Sequence, residues 1–489
     1  MSAFQAPLRG RLEVLDELFH QYVAKMRSLQ SLGVAALAAV SATTANTSTP
    51  PPTPHSHLNS TDVLHYVNPQ IGTSGTTPNG NGGMIPSVSP PFGMTRWTAQ
   101  TRENFISQCP YNDLDSHIHG FQATHQPAIW MGESGQVVLV PGVGEVRPLF
   151  EERGHVFAKG DERSSAFLYE VEVGVENVLG AGDDLTESFY SPVPGGGQAV
   201  PSEVREGANG RTRRDDSAMV DRPSVQPDRH EHHREEAKAK IKVAMTASSH
   251  VGHLRFQFPQ DQLDEEPYVF LQATRQNWTG SITVDPQAQE VFGSNPQRQD
   301  YALGPSRAPG FSGYFVSRFL HPFASYGITH GGALEENATT GTGEHLGAWV
   351  RFSPSHSHKT VEVRTGVSFV SIEQARRNLD IEAPPSTTFD DAVETLKEAW
   401  LEKLGRVRIE GVNETEAAYD QRTIFYTALF HALQYPADFS EPLETVHGGR
   451  RTWYEGYTDR VREDEDSYYQ SWSIWVCHHW SACERRSYY

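Results

Sequence analysis

The chain has 489 residues, room for two to four domains at roughly 100–200 residues each, and 61 acidic residues against 41 basic ones set a formal net charge of -20. That balance argues against nucleic acid and anionic lipid as partners, because both need clustered Lys and Arg. No apolar run reaches the ~20 residues of a membrane-spanning helix, and three cysteines (Cys109, Cys477, Cys483) do not build a disulfide scaffold. Hydrophobic residues at 37% and aromatics at 10% are enough for real cores.

The N-terminal 60 residues read as a leader and a linker. Met26-Arg27-Ser28 opens a charged start, Leu32–Val40 is a short run of small apolar residues, and Val40-Ser41-Ala42 suits a cleavage point. This predicts a signal peptide starting at Met26; an ordinary short helix is the plain alternative. The Ser/Thr/Pro-rich stretch 43–60 reads as a flexible linker. Five Asn-x-Ser/Thr sequons, at Asn46, Asn59, Asn277, Asn337 and Asn413, fit a secreted glycoprotein.

From Tyr66 to Phe369 the periodic segments are strand-like: Gln136–Val140, Ala166–Val173, Ile241–Met245, Leu254–Phe258, Tyr268–Ala273, Tyr314–Phe319, Ala348–Phe352 and Val361–Phe369. They are short, rich in Val, Phe and Tyr, and punctuated by Gly, Pro, Asn and Asp. Many strands without intervening helices predict a large antiparallel β-sandwich over 61–372. The polar, Gly-rich stretch 177–236 has no apolar period and is expected to be a disordered insertion. After about residue 372 the period changes. Asp390 is placed to cap a helix carrying Val393, Leu396, Trp400 and Leu404, with Gly405 at its end. A second helix, about Glu414 to Gln434, carries Ala418, Phe425, Leu429 and Leu433 on one stripe before Pro436 stops it. The chain is therefore mainly β, with a helical linker over 373–410 and the start of a helical domain over 411–475.

Few motifs carry chemistry. The Gly-rich run Ile71–Gly83 lacks the Gly-Lys-Ser/Thr ending of a phosphate loop; it is either a loop whose backbone approaches a ligand or a plain turn. His117-x-His119, followed by His125, has the spacing to share one strand face, as a metal site or as a polar strand edge. His230-x-His232-His233 lies in the insertion, where a solvated loop competes with metal binding. Trp97 and Trp130 flank the histidines, and an exposed indole near polar groups can stack a sugar ring; core packing is the default for both. The run Glu463-Asp464-Glu465-Asp466 reads as a solvated loop.

These residues carry a resemblance. Tyr66-Val67-Asn68-Pro69-Gln70-Ile71-Gly72-Thr73, the Gly-rich loop and Pro90-Pro91-Phe92-Gly93-Met94 resemble the opening of glycoside hydrolase family 92, the exo-acting α-mannosidases. So do Ile118-His119-Gly120-Phe121 with Thr124-His125, Gly135–Pro141, Val363–Ala375, Trp400-x-x-Lys403-Leu404-Gly405-Arg406, Ile424–Leu429, Tyr457-Thr458-Asp459 and Ser473-Ile474-Trp475. The resemblance implies an N-terminal β-sandwich, a helical linker and a C-terminal (α/α)6 barrel, with the active site between domains. It implies calcium-dependent hydrolysis of α-mannosidic linkages with inversion, a general acid and a water-activating base standing roughly 6.5–9.5 Å apart. Mannose-bearing N-glycans would be the substrates. It also implies a departure: Val476 stands where the family has an Asp that contacts mannose, and 476–489 matches nothing in it. The family's acid, base and calcium carboxylates fall further downstream, so no catalytic or metal residue is carried over. A frameshift, a missed splice site or a truncation is expected, and these residues alone are expected to be inactive. Trp97, His125 and Trp475 are the expected sugar contacts. A non-catalytic glycan-binding sandwich and a non-functional gene fragment are the competing readings.

Overall fold

The computed structural model describes residues 60–75, 83–106, 108–126, 132–175, 239–259, 266–299, 308–353, 360–409, 415–444, 449–456 and 458–470. All belong to one compact unit beginning at Ser60. The signal-like segment, the insertion expected over 177–236 and the tail from 476 lie outside the described residues.

A short 3-10 helix, Ser60–Tyr66, leads into the strands. In chain order these are β1 (Arg96–Gln100), β2 (His117–Ile118), β3 (Gly120–Thr124), β4 (Val137–Val143), β5 (His155–Ser164), β6 (Tyr169–Gly174), β7 (Lys240–Ala247), β8 (Val251–Gln257) and β9 (Pro267–Gln272). They continue as β10 (Gly280–Asp285), β11 (Glu290–Asn295), β12 (Gly313–Phe319), β13 (Ser325–His330), β14 (Ala333–Glu336), β15 (Thr340–Gly343), β16 (Leu346–Arg351) and β17 (Thr360–Ser368). One sheet has seven strands in the order β1-β3-β4-β9-β16-β13-β14; the other has ten, β15-β10-β11-β12-β17-β8-β7-β6-β5-β2. The eight strands expected between Tyr66 and Phe369 are present and the architecture is the expected antiparallel sandwich, whereas Val407-Arg408-Ile409, whose β-branched residues read as a short strand, is irregular and pairs with no strand among the described residues.

Alternation explains the packing. In β1, Trp97 and Ala99 point into the core; in β3, Phe121 and Ala123 do; in β9, Val269 and Leu271 do. The register sets these side by side, with Phe121 opposite Leu139 and Leu139 opposite Leu271. Fully burying one such Val, Leu or Phe contributes about 1.5–3 kcal/mol. The opposite face of the seven-stranded sheet is covered too. There Val138, Val140, Val146, Tyr268, Phe270 and Trp349 form a second cluster, and Gln100, Gln122, Gln136 and Arg153 form a buried polar layer.

Helices close the outer face of the ten-stranded sheet. Helix α1 (Ile372–Glu382) starts at Ser371, whose side chain accepts from the Gln374 amide. It packs Ala375, Leu379 and Ala383 on Val251 and Val316. Gly366 of β17 permits the close approach: a Cβ there would stand 2.4 Å from the Ala375 carbonyl oxygen. Helix α2 (Phe389–Leu404) sends Leu396, Trp400 and Leu404 into the main core and ends on Gly405. Its cap is Thr388 rather than the expected Asp390, because Thr388 forms a reciprocal capping box with Asp391. Helix α3 (Glu416–Ala432) also departs from expectation. Its buried positions are Ala418, Tyr426, Thr427 and Phe430, while Phe425 is 39% and Ile424 64% exposed. Ala418 is buried and Leu429 and Leu433 pack partly buried against the core as expected, but Phe425 gives way to Tyr426, which stacks on Tyr66, and to Phe430, which packs on Trp400.

Strands of two to five residues carry little periodicity, and no sequence pattern announces the small sheets after α3. Strands β18 (Ala437–Asp438) and β22 (Tyr469–Gln470) pair, as do β19 (Glu441–Pro442), β20 (Arg451–Glu455) and β21 (Arg460–Asp464). The acidic run begins on β21, which is exposed as expected of solvated residues. Among the described residues no helix is long and apolar enough to cross a membrane.

Candidate functional site

The sandwich and the segment after it meet along a seam of hydrogen bonds. Phe92 N–H donates to the Leu433 carbonyl (2.8 Å), and Asp438 N–H donates back to the Phe92 carbonyl (2.7 Å). The Trp400 indole donates to the Ser89 carbonyl at 2.8 Å, and Asn68 N–H to the Thr427 hydroxyl at 2.9 Å. On the far side, the Glu441 carboxylate accepts from Phe369 N–H and from the Asn378 amide. Gly310 N–H donates to Asp459.

Arg96 lies at this seam. Alternation along β1 puts it on the face opposite Trp97, and there it donates to the Gln126 carbonyl and to Gln434. Its guanidinium lies 5.4 Å from the centre of the Tyr435 ring. It is buried, and no carboxylate lies within ion-pair distance of it among the described residues. His431, on the last turn of α3, adds to this polarity. Burial, and then the charge of Arg96, push its pKa down to about 4, so the ring is neutral. Its Nε2 is buried without a hydrogen-bond partner among the described residues. An unpaired buried cation beside an unsatisfied imidazole is costly unless a further polar group meets them. Arg96, His431, Gln434 and Tyr435 are therefore the polar side chains this seam offers to a ligand. None was singled out from sequence. Arg96 was legible in principle: next to a core-facing Trp on a strand, it had to face the other way.

The expected sugar contacts fare differently. Trp97 is a correction: it is fully buried, with its ring against Gly252, where a Cβ would come within 2.1 Å of it. No ring face is left for a sugar. His125 is also a correction. Its Nδ1 donates to the Ser134 carbonyl at 2.7 Å, and its Nε2 lies 2.9 Å from the Thr95 hydroxyl. Burial holds its pKa below the ordinary value, so the neutral ring is a strut with both nitrogens occupied. Behind it, Glu133 is fully buried. Its carboxylate accepts from Asn104, Gln122, Thr124, the His125 amide and the Ser134 amide. Trp475, like Trp130, lies outside the described residues.

His117 and His119 do come together, with ring centres 6.4 Å apart. His119, however, stacks on Phe150 and bonds to its carbonyl, and burial lowers its pKa to about 4. Among the described residues no group of three or more His, Cys, Asp or Glu is placed to hold a metal. The seam carboxylates are engaged as well: Asp459 accepts from Tyr454 and Gly310, and Asp438 from Ser440 and Arg451. The described residues therefore do not fit a calcium site. His230, His232 and His233 lie outside them. Cys109 is a buried free thiol pushed up to about 11 by burial, which makes it unreactive. Sequons Asn277 and Asn337 are exposed on turns, both at positive φ; Asn46, Asn59 and Asn413 lie outside the described residues.

Comparison with known proteins decides the family. Residues 66–368 match the glycosyl hydrolase family 92 N-terminal domain, and residues 374–480 match the family's catalytic domain; the second match runs past Val476, so the stretch expected to match nothing in the family begins after 480 rather than at 476. The chain belongs to glycosyl hydrolase family 92. The boundary between the matches falls where β17 gives way to α1. The fold is similar to that of a family 92 inverting mannosidase from Bacteroides thetaiotaomicron, with a TM-score of 0.62 and 24% identity over 83% of this chain and 43% of that one. A second family 92 α-mannosidase from that organism, solved with mannoimidazole, gives a TM-score of 0.58 at 16% identity, covering 86% and 46%. An uncharacterized secreted glycosidase of Arthroderma benhamiae is 25% identical over 218 residues, 41% of this chain and 27% of that protein. The chain thus spans less than half the length of these relatives.

Proposed function

We propose that the chain is the sandwich-bearing part of a secreted, inverting exo-α-mannosidase that removes terminal α-1,2-linked mannose from glycoprotein N-glycans. The observation that carries this reading is the ordered pair of family matches, N-terminal domain then catalytic domain, meeting at a seam that holds an unpaired buried guanidinium. A mannosidase solved with mannoimidazole shares the fold, and a distant relative is a secreted glycosidase. In this reading Arg96 and His431 face the terminal sugar from the sandwich side. Arg96 supplies N–H donors to hydroxyls, and neutral His431 either donates or accepts. Inversion requires an acid and a base on opposite faces of the sugar. The described residues show no such pair, and the related mannosidase is more than twice as long as the stretch this chain covers; in this proposal the acid, the base and the calcium ligands belong to the part of the catalytic domain outside that stretch. Residues 1–489 alone are then catalytically silent.

The test starts with the transcript across the codon for Trp475. The reading expects an open frame that continues into an Asp and a long helical remainder. The protein expressed from that frame should release mannose from α-1,2-mannobiose, with β-mannose as the first anomer seen by NMR. An extended protein that leaves α-mannosides untouched while cleaving another glycoside would overturn it.

A further inference from the structure

On the outer face of the seven-stranded sheet lies a cleft of about 770 Å³ that shares no lining residue with the Arg96–His431 pair and is joined to the seam by Gln126, whose carbonyl accepts from Arg96 and whose side chain donates to the Phe105 carbonyl. That volume falls within the range of small-molecule sites. Phe105 and Trp278 stand at it. Phe105 is 42% exposed, yet its backbone is fixed by paired hydrogen bonds with Gln108. Trp278, half-buried, follows the exposed turn residue Asn277. Arg275 is buried and lines the cleft; its terminal nitrogens bind the Asn104 carbonyl and side chain at 2.6 and 2.8 Å, aiming the fork. Its Nε lies 3.6 Å from Glu103 and makes no hydrogen bond. Gln297 also lines the cleft, fully buried, and neither end of its carboxamide has a partner among the described residues.

A buried carboxamide with both ends unpaired weakens a fold unless something else meets it. Aromatic rings beside planar side chains with paired donors and acceptors match a pyranose, which offers an apolar C–H face and vicinal hydroxyls. The charged residues lining the cleft are Arg275, Glu103 and Glu151. One guanidinium against two carboxylates does not suit a phosphate or another anion. We propose that this cleft is a second carbohydrate site, distinct from the Arg96–His431 pair, which holds a neutral oligosaccharide through Phe105, Trp278, Arg275 and Gln297. The proposal borrows from the mannosidase reading only the choice of mannose as probe. The sugar has two sources: an external glycan, or a glycan carried by the chain on Asn277, which lies at the same cleft.

The test is a titration of the 489-residue chain, made in a host that does not glycosylate, with α-1,2-mannobiose and with chitobiose, followed by calorimetry and NMR. Binding at millimolar sugar is expected, weakened about tenfold or more in Phe105→Ala and Gln297→Leu and unchanged in Phe425→Ala, whose ring is exposed on α3 and lines neither site. Phe105 is exposed, so its variant should keep the parent's melting midpoint. Mannobiose binding assigns the site to an external glycan. Chitobiose binding assigns it to the Asn277 glycan, and in a glycosylating host the titration signal should then return only in Asn277→Gln. No binding of either sugar, or binding that Phe105→Ala and Gln297→Leu leave intact, overturns the proposal. Loss in Arg96→Met alone would move the sugar to the seam and leave the mannosidase reading standing.

Discussion

Replacing Glu382 should loosen the attachment of the first linker helix to the sandwich, and the loss should depend on pH. Glu382 ends α1 and reaches back to the β7–β8 turn. It accepts from the Ser248 hydroxyl and the His250 amide, and it pairs with the His250 ring. The two side chains are 16% and 4% exposed. Burial alone would lower the His250 pKa, but the charge and hydrogen bond of Glu382 outweigh it and hold the ring above its ordinary 6.5. Burial likewise pushes Glu382 up, and His250 and Ser248 outweigh that, holding it below 4.5. Removing one partner of such a pair costs about 3–5 kcal/mol, so Glu382→Ala should lose that much. Glutamine keeps an acceptor for Ser248 and the His250 amide, so Glu382→Gln should lose about 1–3 kcal/mol. A raised histidine stabilises fully below 6.5 and loses its contribution as pH rises through the folded value. A depressed glutamate stabilises fully above 4.5 and loses its contribution as pH falls through the folded value. The gap between parent and Glu382→Gln should therefore peak between pH 4.5 and 6.5 and narrow on both sides. Buried Glu441, whose pKa burial raises, costs stability as pH rises in both proteins; it interacts with the same His250 ring, so only the part of its cost that does not depend on that ring's charge cancels in the difference. Urea unfolding followed by tryptophan fluorescence at stepped pH measures it. A gap that stays constant from acid to alkaline pH would refute the assignment of a charged pair.

Other substitutions separate core from surface. Phe430→Ala should cost about 3–5 kcal/mol and Phe425→Ala well under 1 kcal/mol in the same unfolding assay, since only Phe430 is buried against Trp400. Trp400→Phe should cost about 1–3 kcal/mol, because it orphans the Ser89 carbonyl at the seam. Gly366→Ala should displace α1 from β17 and lower the melting midpoint, since its Cβ meets the Ala375 carbonyl at 2.4 Å. Arg96→Met should leave the midpoint of the 489-residue chain near that of the parent, while sharply reducing mannose release by the extended enzyme.

What the sequence made legible follows physical lines. Strands such as Tyr268–Ala273 and Val361–Phe369 announce themselves because the first is a short run rich in Tyr, Val and Phe between turn residues and the second alternates Val with polar residues, and length and β-branched content favour strand over helix for both. Helix α2 was legible because Leu396, Trp400 and Leu404 repeat at helical spacing. The exposure of Phe425 on α3 was not, because its apolar residues wrap most of the helix and tertiary partners, Tyr66 and Trp400, choose the buried side. Trp97 misled because an indole suits both a sugar and a core, and only the close approach of Gly252 decides. His125 misled because its partners, Thr95 and Ser134, come from chain positions that no local pattern joins. The polar seam and the cleft at Gln297 were invisible for the same reason: they are made by residues brought together from distant strands and loops.

The most direct measurement is mannose release by the purified 489-residue chain from α-1,2-mannobiose in the presence of calcium. No release above the enzyme-free control is expected, because the described residues of the sandwich and seam show neither an acid and base pair nor a group placed to hold calcium. Turnover that is abolished by a chelator and restored by calcium would contradict it, and would require the catalytic groups to lie within these residues.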